Sequence, residues 1–207
     1  CRYGGIVSII DLSDQRLIEY RQEARKKGEP VLRDKSFELL LETIFHKKPN
    51  RILEIGVNVG YSGISMLQVC KTAHLSGIEI DDEKIEIAKQ NYKLFGVEDR
   101  AKIFRGDASE VIPILSGSYD FIFLDGPKGH YYEYLPNLLS ILEVGGILFA
   151  DNVLFRGYVN GKVQTPRKYN TLKNNMVRFL DAISNDNSLK TKIYDIEDGV
   201  SITQKLK

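Results

Sequence analysis

An α/β fold with a doubly wound, mostly parallel sheet follows from three features of this 207-residue chain. From about Arg51 onward, short apolar runs alternate with helical patterns, the signature of βαβ units. Several of those runs stop at glycine or at an oxygen-bearing side chain: RILEIG at Gly56, FIFLD at Asp125, and GILFAD at Asp151 with Asn152 next. The closing stretch, KTKIYDIEDGVSITQK, alternates polar and apolar residues about Asp198-Gly199, a strong short hairpin signal that adds an antiparallel pair. Counted together, the runs predict a seven-stranded sheet with helices on both faces.

Two helical stretches come first, roughly Asp11 to Lys27 and Asp34 to Lys47, separated by the breaker Gly28-Glu29-Pro30 and read as an N-terminal cap over residues 1–48. The core, residues 49–207, then reads strand Arg51 to Ile55, helix Tyr61 to Val69, strand His74 to Ile80, and helix Asp82 to Phe95 stopped by Gly96. Strand Ala101 to Arg105 follows, then a short helix near Ser109 to Leu115, strand Tyr119 to Leu124, helix Tyr132 to Leu142 and strand Gly146 to Ala150. A loop leads to a long helix, about Arg167 to Ser184, before the hairpin.

The length, with 43% hydrophobic and 28% charged residues, suits one globular domain with a real core. The formal charge of +1 hides any local asymmetry. Cys1 and Cys70 are too few and too distant for a disulfide framework or a zinc knuckle, so a reducing, cytoplasmic setting is expected. The opening GGIVSII is too short for a membrane span, and neither a signal peptide nor an anchor is read.

The first chemical motif is Glu54-Ile55-Gly56-Val57-Asn58-Val59-Gly60-Tyr61-Ser62. Gly56 and Gly60 let the backbone turn sharply and approach a ligand, and the helix that follows presents free N–H groups. A dinucleotide fold would place GxGxxG here to cradle a pyrophosphate, and this chain has GxxxG. Glu54 would repel a pyrophosphate; it suits a cofactor with a cationic amino-acid end, such as S-adenosylmethionine. Glu79, ending the next strand, is placed to accept two hydrogen bonds from a ribose diol, and Gly106-Asp107-Ala108 after the third strand is placed to contact adenine. Glycine used merely for packing explains a lone GxxxG equally well; the three strand ends together favour the cofactor.

Asp125, Asp151 and Asn152 form the second constellation. Ligands of open α/β sheets bind beyond the carboxyl ends of strands, and neighbouring strands lie about 4.8 Å apart, so these oxygens can converge on one ion. With no Cys or His nearby the set favours a hard cation, magnesium before manganese or calcium. The alternative is that both aspartates only cap turns. Lys128 follows Asp125 in DGPKGHYY; beside a cation, like-charge repulsion would favour its neutral form and let it act as a base, although most lysines are solvated surface residues. His130 and Tyr131 in the same loop read as structural or as a substrate wall.

Taken together, LEIGVNVGYS, FLDGPKGHY and FADNVLFRG resemble the class I S-adenosylmethionine-dependent O-methyltransferases of the catechol and caffeoyl-CoA type, over nearly the whole chain. The resemblance implies a Rossmann-like core in which Gly56, Ser62 and Glu79 hold the cofactor and Val31 borders it. It further implies that Asp125, Asp151 and Asn152 bind magnesium, that Asp125 also reaches the methionine amine, and that Lys128 is the base. Family chemistry has two vicinal substrate oxygens chelating the metal, which lowers the pKa of the attacking hydroxyl. Pro127 departs from the small residue many bacterial relatives carry after this Asp and would stiffen the loop. Relatives are commonly homodimers, and the N-terminal cap is a candidate interface.

From Val153 to Leu180 the chain has six basic residues, Arg156, Lys162, Arg167, Lys168, Lys173 and Arg178, and no acidic one. Beside the metal-site residues this excess suggests a phosphate backbone, with Arg156, Arg167, Lys168 and Lys173 as RNA contacts; a solvated helix face is the plain alternative. NVLFRGYV and PRKYNT also resemble bacterial tRNA 5-hydroxyuridine methyltransferases. That substrate carries vicinal oxygens and sits unpaired in an anticodon loop, where Phe155 and Tyr158 could stack on the base. A small catechol-like phenol is the competing substrate. A nicotinamide enzyme or a non-catalytic RNA binder is the reading from another class, disfavoured by the missing GxGxxG.

Overall fold

The computed structural model describes residues 15–26, 28 and 30–207. GGIVSII, Cys1 and the first residues expected in the opening helix lie outside them. Among the described residues, fourteen helices and strands carry the fold: α1 (Gln15–Lys26), α2 (Asp34–Lys47), β1 (Arg51–Ile55), α3 (Tyr61–Val69), β2 (His74–Glu79), α4 (Asp82–Leu94), β3 (Ala101–Arg105), α5 (Ala108–Val111), β4 (Tyr119–Leu124), α6 (Tyr131–Ile141), β5 (Leu142–Asp151), α7 (Asn170–Asn185), β6 (Leu189–Tyr194) and β7 (Val200–Lys205).

The seven-stranded sheet runs β3-β2-β1-β4-β5-β7-β6, with the first five strands parallel and β7 antiparallel to both of its neighbours. Period-two alternation divides the core between the two faces. Phe121 and Phe123 of β4 pack with Leu40, Leu41, Ile44, Ile64 and Leu67 of α2 and α3. Ile122 and Leu124 of the same strand pack with Leu138, Met176, Phe179 and Ile183 of α6 and α7. Leu17 of α1 joins the first cluster, so the N-terminal helices share their apolar core with the sheet.

The chain winds outward from β1 through β2 to β3, then returns to β4 on the other side of β1. That reversal is a topological switch point, the place where an open α/β sheet leaves a crevice beyond its strand ends. Tyr131 fastens the crevice's far side: its buried hydroxyl donates to the Leu124 carbonyl at 3.0 Å and the Asp151 carbonyl at 3.2 Å, tying the ends of β4 and β5 together.

Several boundaries differ from those the sequence suggests. Strand β5 begins at Leu142 rather than Gly146, because Leu142 pairs with Tyr119 across a register shift that absorbs the glycines. Strand β2 ends at Glu79, leaving Ile80 exposed. The short fifth helix stops at Val111 and continues as a 3-10 turn, Ile112–Ile114, around Pro113. Arg167–Tyr169 is a separate 3-10 turn ahead of α7. The closing hairpin turns over residues 195–199, not in a two-residue turn on Asp198-Gly199. Its backbone serves other partners: Leu154 N–H donates to the Asp198 carbonyl and Val153 N–H to that of Gly199. Among the described residues no helix is long and apolar enough to cross a membrane.

Candidate active site

The crevice opens into a cavity of about 310 Å³. Gly56, Asn58, Glu79 and Lys84 line one side, Asp125, Lys128, Asp151 and Asn152 the other, and the segment Pro30 to Arg33 closes over it. A recess of about 120 Å³ shares Gly56 and Glu79 and extends to Gly106, Asp107, Ala108 and Pro127. The candidate residues Val31, Gly56, Asn58, Glu79, Gly106, Asp107, Ala108, Asp125, Lys128, Asp151 and Asn152, spread over most of the chain, therefore meet around two adjoining spaces.

Only glycine suits position 56. Its φ is +90°, and a Cβ there would lie 2.7 Å from the Asp125 carbonyl oxygen, so the β1 and β4 ends could not approach as they do. Asn58, at φ 51°, turns the loop back. Its N–H donates to Glu79 Oε2 at 2.7 Å, and its side-chain amide donates to the Pro30 carbonyl at 2.9 Å. Glu79 Oε1 also accepts from the Ile80 and Asp81 N–H groups at 2.9 and 3.1 Å. A carboxylate offers about four lone-pair sites, so the backbone already occupies three of them and one remains for a ligand hydroxyl. Asp107 Oδ1 is likewise engaged, accepting from the Ser109 amide and hydroxyl as the N-cap of α5, which holds this carboxyl below the usual carboxylate range.

The opposite side is electrostatically unfinished. Leu124 and Ala150 are in register, which sets Asp125 beside Asp151 at the strand ends. Asp125 has a cationic partner, with Lys128 Nζ 2.7 Å from its Oδ1. Asp151 is 2% exposed, and its Oδ1 has no hydrogen-bond partner. Burial, followed by the Asp125 charge, pushes the Asp151 carboxyl well above the usual carboxylate range; Lys128, the Asn152 amide and the Ser36 hydroxyl offset part of that. A buried carboxylate oxygen without a partner, next to a second carboxylate, fits a bound cation. The oxygen set is two carboxylates and the Asn152 amide; among the described residues no group of three or more His, Cys, Asp or Glu side chains is placed to hold a metal.

Other expected residues lie away from the cavity. Glu54 does not line the cavity: it is 1% exposed, with its carboxylate beneath α3 where a Cβ on Gly63 would meet Glu54 Oε2 and the Tyr92 hydroxyl. Strand alternation is the reason, because Glu54 shares a face with Ile52, which packs toward the helices. Gly60, at φ +84°, gives close packing on Tyr92 and Ala88, and Ser62 is half-buried in the first turn of α3 off the cavity wall. His130 is outside as well, paired with Glu133 at 2.6 Å.

The basic segment also stays off the cavity wall. Arg156 lies over the rings of Phe155 and Tyr169, and Lys168 over Tyr169. Phe155, Tyr158 and Tyr169 form one cluster with centroids 5.6 to 5.8 Å apart. Arg167 is exposed, Lys173 is half-buried, and Lys162 is paired with Asp195. Tyr131, expected to be structural or a substrate wall, ties the carboxylate end of β5 to β4, whereas Ser36, Arg33 and Lys84, the last two lining the cavity, carry no signal in the sequence.

Comparison with known proteins places this geometry in a family. A family model described as O-methyltransferase matches residues 19–206. Caffeoyl-CoA O-methyltransferase of Medicago sativa is 30% identical over 164 residues, spanning 75% of this chain and 66% of that one. The enzyme of the same name from Populus kitakamiensis is 27% identical, spanning 93% and 87%. Among solved structures, a proposed caffeoyl-CoA O-methyltransferase from Staphylococcus aureus superposes with a TM-score of 0.84 at 25% identity, covering 97% of this chain and 98% of that one. The SAH-bound Podospora anserina methyltransferase PaMTH1 gives 0.83 at 25% identity, covering 94% and 89%. With a Rossmann-like sheet of matching topology and a family model spanning nearly its whole length, the chain belongs to the O-methyltransferase family.

Proposed function

We propose that this protein transfers a methyl group from S-adenosylmethionine to a hydroxyl oxygen that has a second oxygen beside it, with a divalent cation at Asp125, Asp151 and Asn152. The observation that carries this reading is the cavity itself, with its glycine-loop side at Gly56, Asn58 and Glu79 and its two-carboxylate side at Asp125 and Asp151. When bound, the cation supplies Lewis acidity toward the hydroxyl and the sulfonium supplies an electrophilic methyl. Glu79 holds the glycine loop through the Asn58 amide and offers its remaining lone pair to a ribose hydroxyl. Lys128 Nζ, beside the carboxylate pair, is the group placed to take the hydroxyl proton. Pro30 to Arg33 complete the cavity's lining. The substrate oxygen then bonds the methyl carbon as the carbon–sulfur bond breaks, and the side chains contribute mainly orientation and charge.

The substrate favoured here is 5-hydroxyuridine at the tRNA wobble position, giving 5-methoxyuridine. Exposed Arg156, Arg167 and Lys168 follow the cation ligands closely in the chain, and no acidic residue lies between Val153 and Leu180 to offset them. A small catechol-like phenol is the second reading, favoured by the relatives named for caffeoyl-CoA. The test is transfer of labelled methyl to hydroxyuridine-containing tRNA and to a catechol, with and without chelator. The tRNA reading expects chelator-sensitive labelling of tRNA that falls steeply with salt and weakens in a double Arg167→Ala, Lys168→Ala variant. Labelling of the catechol alone, unchanged in that variant, selects the phenol; labelling indifferent to chelator removes the cation.

A further inference from the structure

The loop between β6 and β7 holds an unusual residue for its backbone. Glu197 has φ 51°, in the left-handed region that disfavours side chains with a Cβ, in a loop that already uses Gly199 at φ 84°. Its carboxylate reaches across 161 positions of sequence to accept the Ser36 N–H at 3.0 Å and the Lys35 N–H at 3.3 Å, capping the first turn of α2 where Arg33, the N-cap residue, provides no side-chain cap. Ser36 is 1% exposed, and its hydroxyl is one of the groups that offset the upward push on the Asp151 carboxyl.

Asp198 works on the same two segments. Its Oδ2 pairs with Arg33 at 2.9 Å, on the stretch that closes the cavity. Its backbone carbonyl accepts the Leu154 N–H at 2.8 Å, and that of Gly199 accepts the Val153 N–H at 3.0 Å, just beyond Asp151 and Asn152. A Cβ on Gly199 would lie 2.3 Å from Leu154 Cγ, so the loop sits hard against the segment it holds.

We propose that Glu197 and Asp198 are positioning residues for the active site: their loop clasps the Pro30 to Ser36 segment to the Asp151 to Leu154 segment and fixes the cavity's cover over its carboxylate side. A strained residue persists where the surrounding structure over-determines it, and here the strain coincides with the cap that orders the cover. The other end of the cover is tied independently, through the Pro30 carbonyl to Asn58. Arg21 and Arg25 also donate to the Leu32 carbonyl, so the clasp is one of several attachments. Its loss loosens the cover without opening the core.

The discriminating variant is Glu197→Gly, because glycine relieves the backbone while deleting the cap. In this variant the clasp predicts an unchanged or raised thermal midpoint. It also predicts faster hydrogen exchange at the Lys35 and Ser36 amides, and S-adenosylhomocysteine binding about tenfold weaker, the scale of losing charge-assisted hydrogen bonds. Glu197→Gln, which keeps one acceptor oxygen, should recover part of both losses. Unaltered exchange and affinity in Glu197→Gly would overturn the clasp. So would an affinity loss that merely follows a fall in thermal midpoint. The affinity readout rests on the function proposed above. Wild-type protein that binds no S-adenosylhomocysteine would contradict that function, while the exchange measurement on the free protein still decides the clasp.

Discussion

The two halves of the cavity hold their acids in opposite ways. On the β1 to β3 side, Glu79 accepts three backbone N–H groups and Asp107 caps a helix, so these charges are spent on holding the loops in shape. On the β4 to β5 side, Asp151 is buried with an oxygen that nothing satisfies, and Asp125 has a lysine. Leaving a buried charged group without a partner costs far more than leaving an exposed one, so the Glu79 and Asp107 carboxylates are served by their neighbours while the buried Asp151 oxygen is left to receive positive charge. Under the proposed function the halves would do different work: one would fix a ligand's position, the other would stabilise charge in the reaction.

Substitutions on the two halves should therefore separate binding from chemistry. Asp151→Asn should have the largest effect, cutting methyl transfer by at least about a thousandfold while S-adenosylhomocysteine still binds, as read by labelled-methyl assay beside calorimetry. Equal loss of both would erase the contrast. Lys128→Met should follow, with turnover reduced about a hundredfold or more and cation binding retained, the scale of losing a general base. A drop in cation affinity instead would recast Lys128 as an electrostatic support.

Glu79→Gln should do the reverse, weakening S-adenosylhomocysteine about tenfold to a hundredfold, since an interaction with a charged acceptor is worth roughly 1.5–3 kcal/mol, with cation affinity unmoved. The smallest effect belongs to Glu54, outside both halves. Burial, then Asp125 and Glu79, push its carboxyl well above the ordinary value. The folded state then binds a proton that the unfolded state releases above about pH 4.3, so stability should fall as pH rises from there toward the raised folded value. Glu54→Gln should flatten that fall in thermal midpoint against pH. A wild-type profile as flat as the variant's would show that Glu54 is not held in this way.

Much of this was readable along the chain because it is local. Strand ends, the turn at Gly56 and the acids at Glu79, Asp125 and Asp151 are set by short apolar runs and the residues that stop them, and parallel winding then gathers those ends at one edge. The direction of Glu54 was also available, since alternation with Ile52 aims it under α3, but its place beside the glycine motif suggested a ligand contact. The rest depends on contacts between distant segments. No local pattern connects Ser36 to Glu197, or Tyr131 to the carbonyls of Leu124 and Asp151. The left-handed backbone at Glu197 has no sequence signal either, because glutamate is not a residue that marks such a turn.

Titration of manganese or magnesium into the purified protein, with S-adenosylhomocysteine present and absent, tests most directly the claim that the carboxylate side exists to hold a cation. The account predicts one ion per chain, lost in both Asp125→Asn and Asp151→Asn while S-adenosylhomocysteine still binds each variant. An ion bound as well by those variants as by the wild type, or no ion bound at all by the wild type, would contradict it.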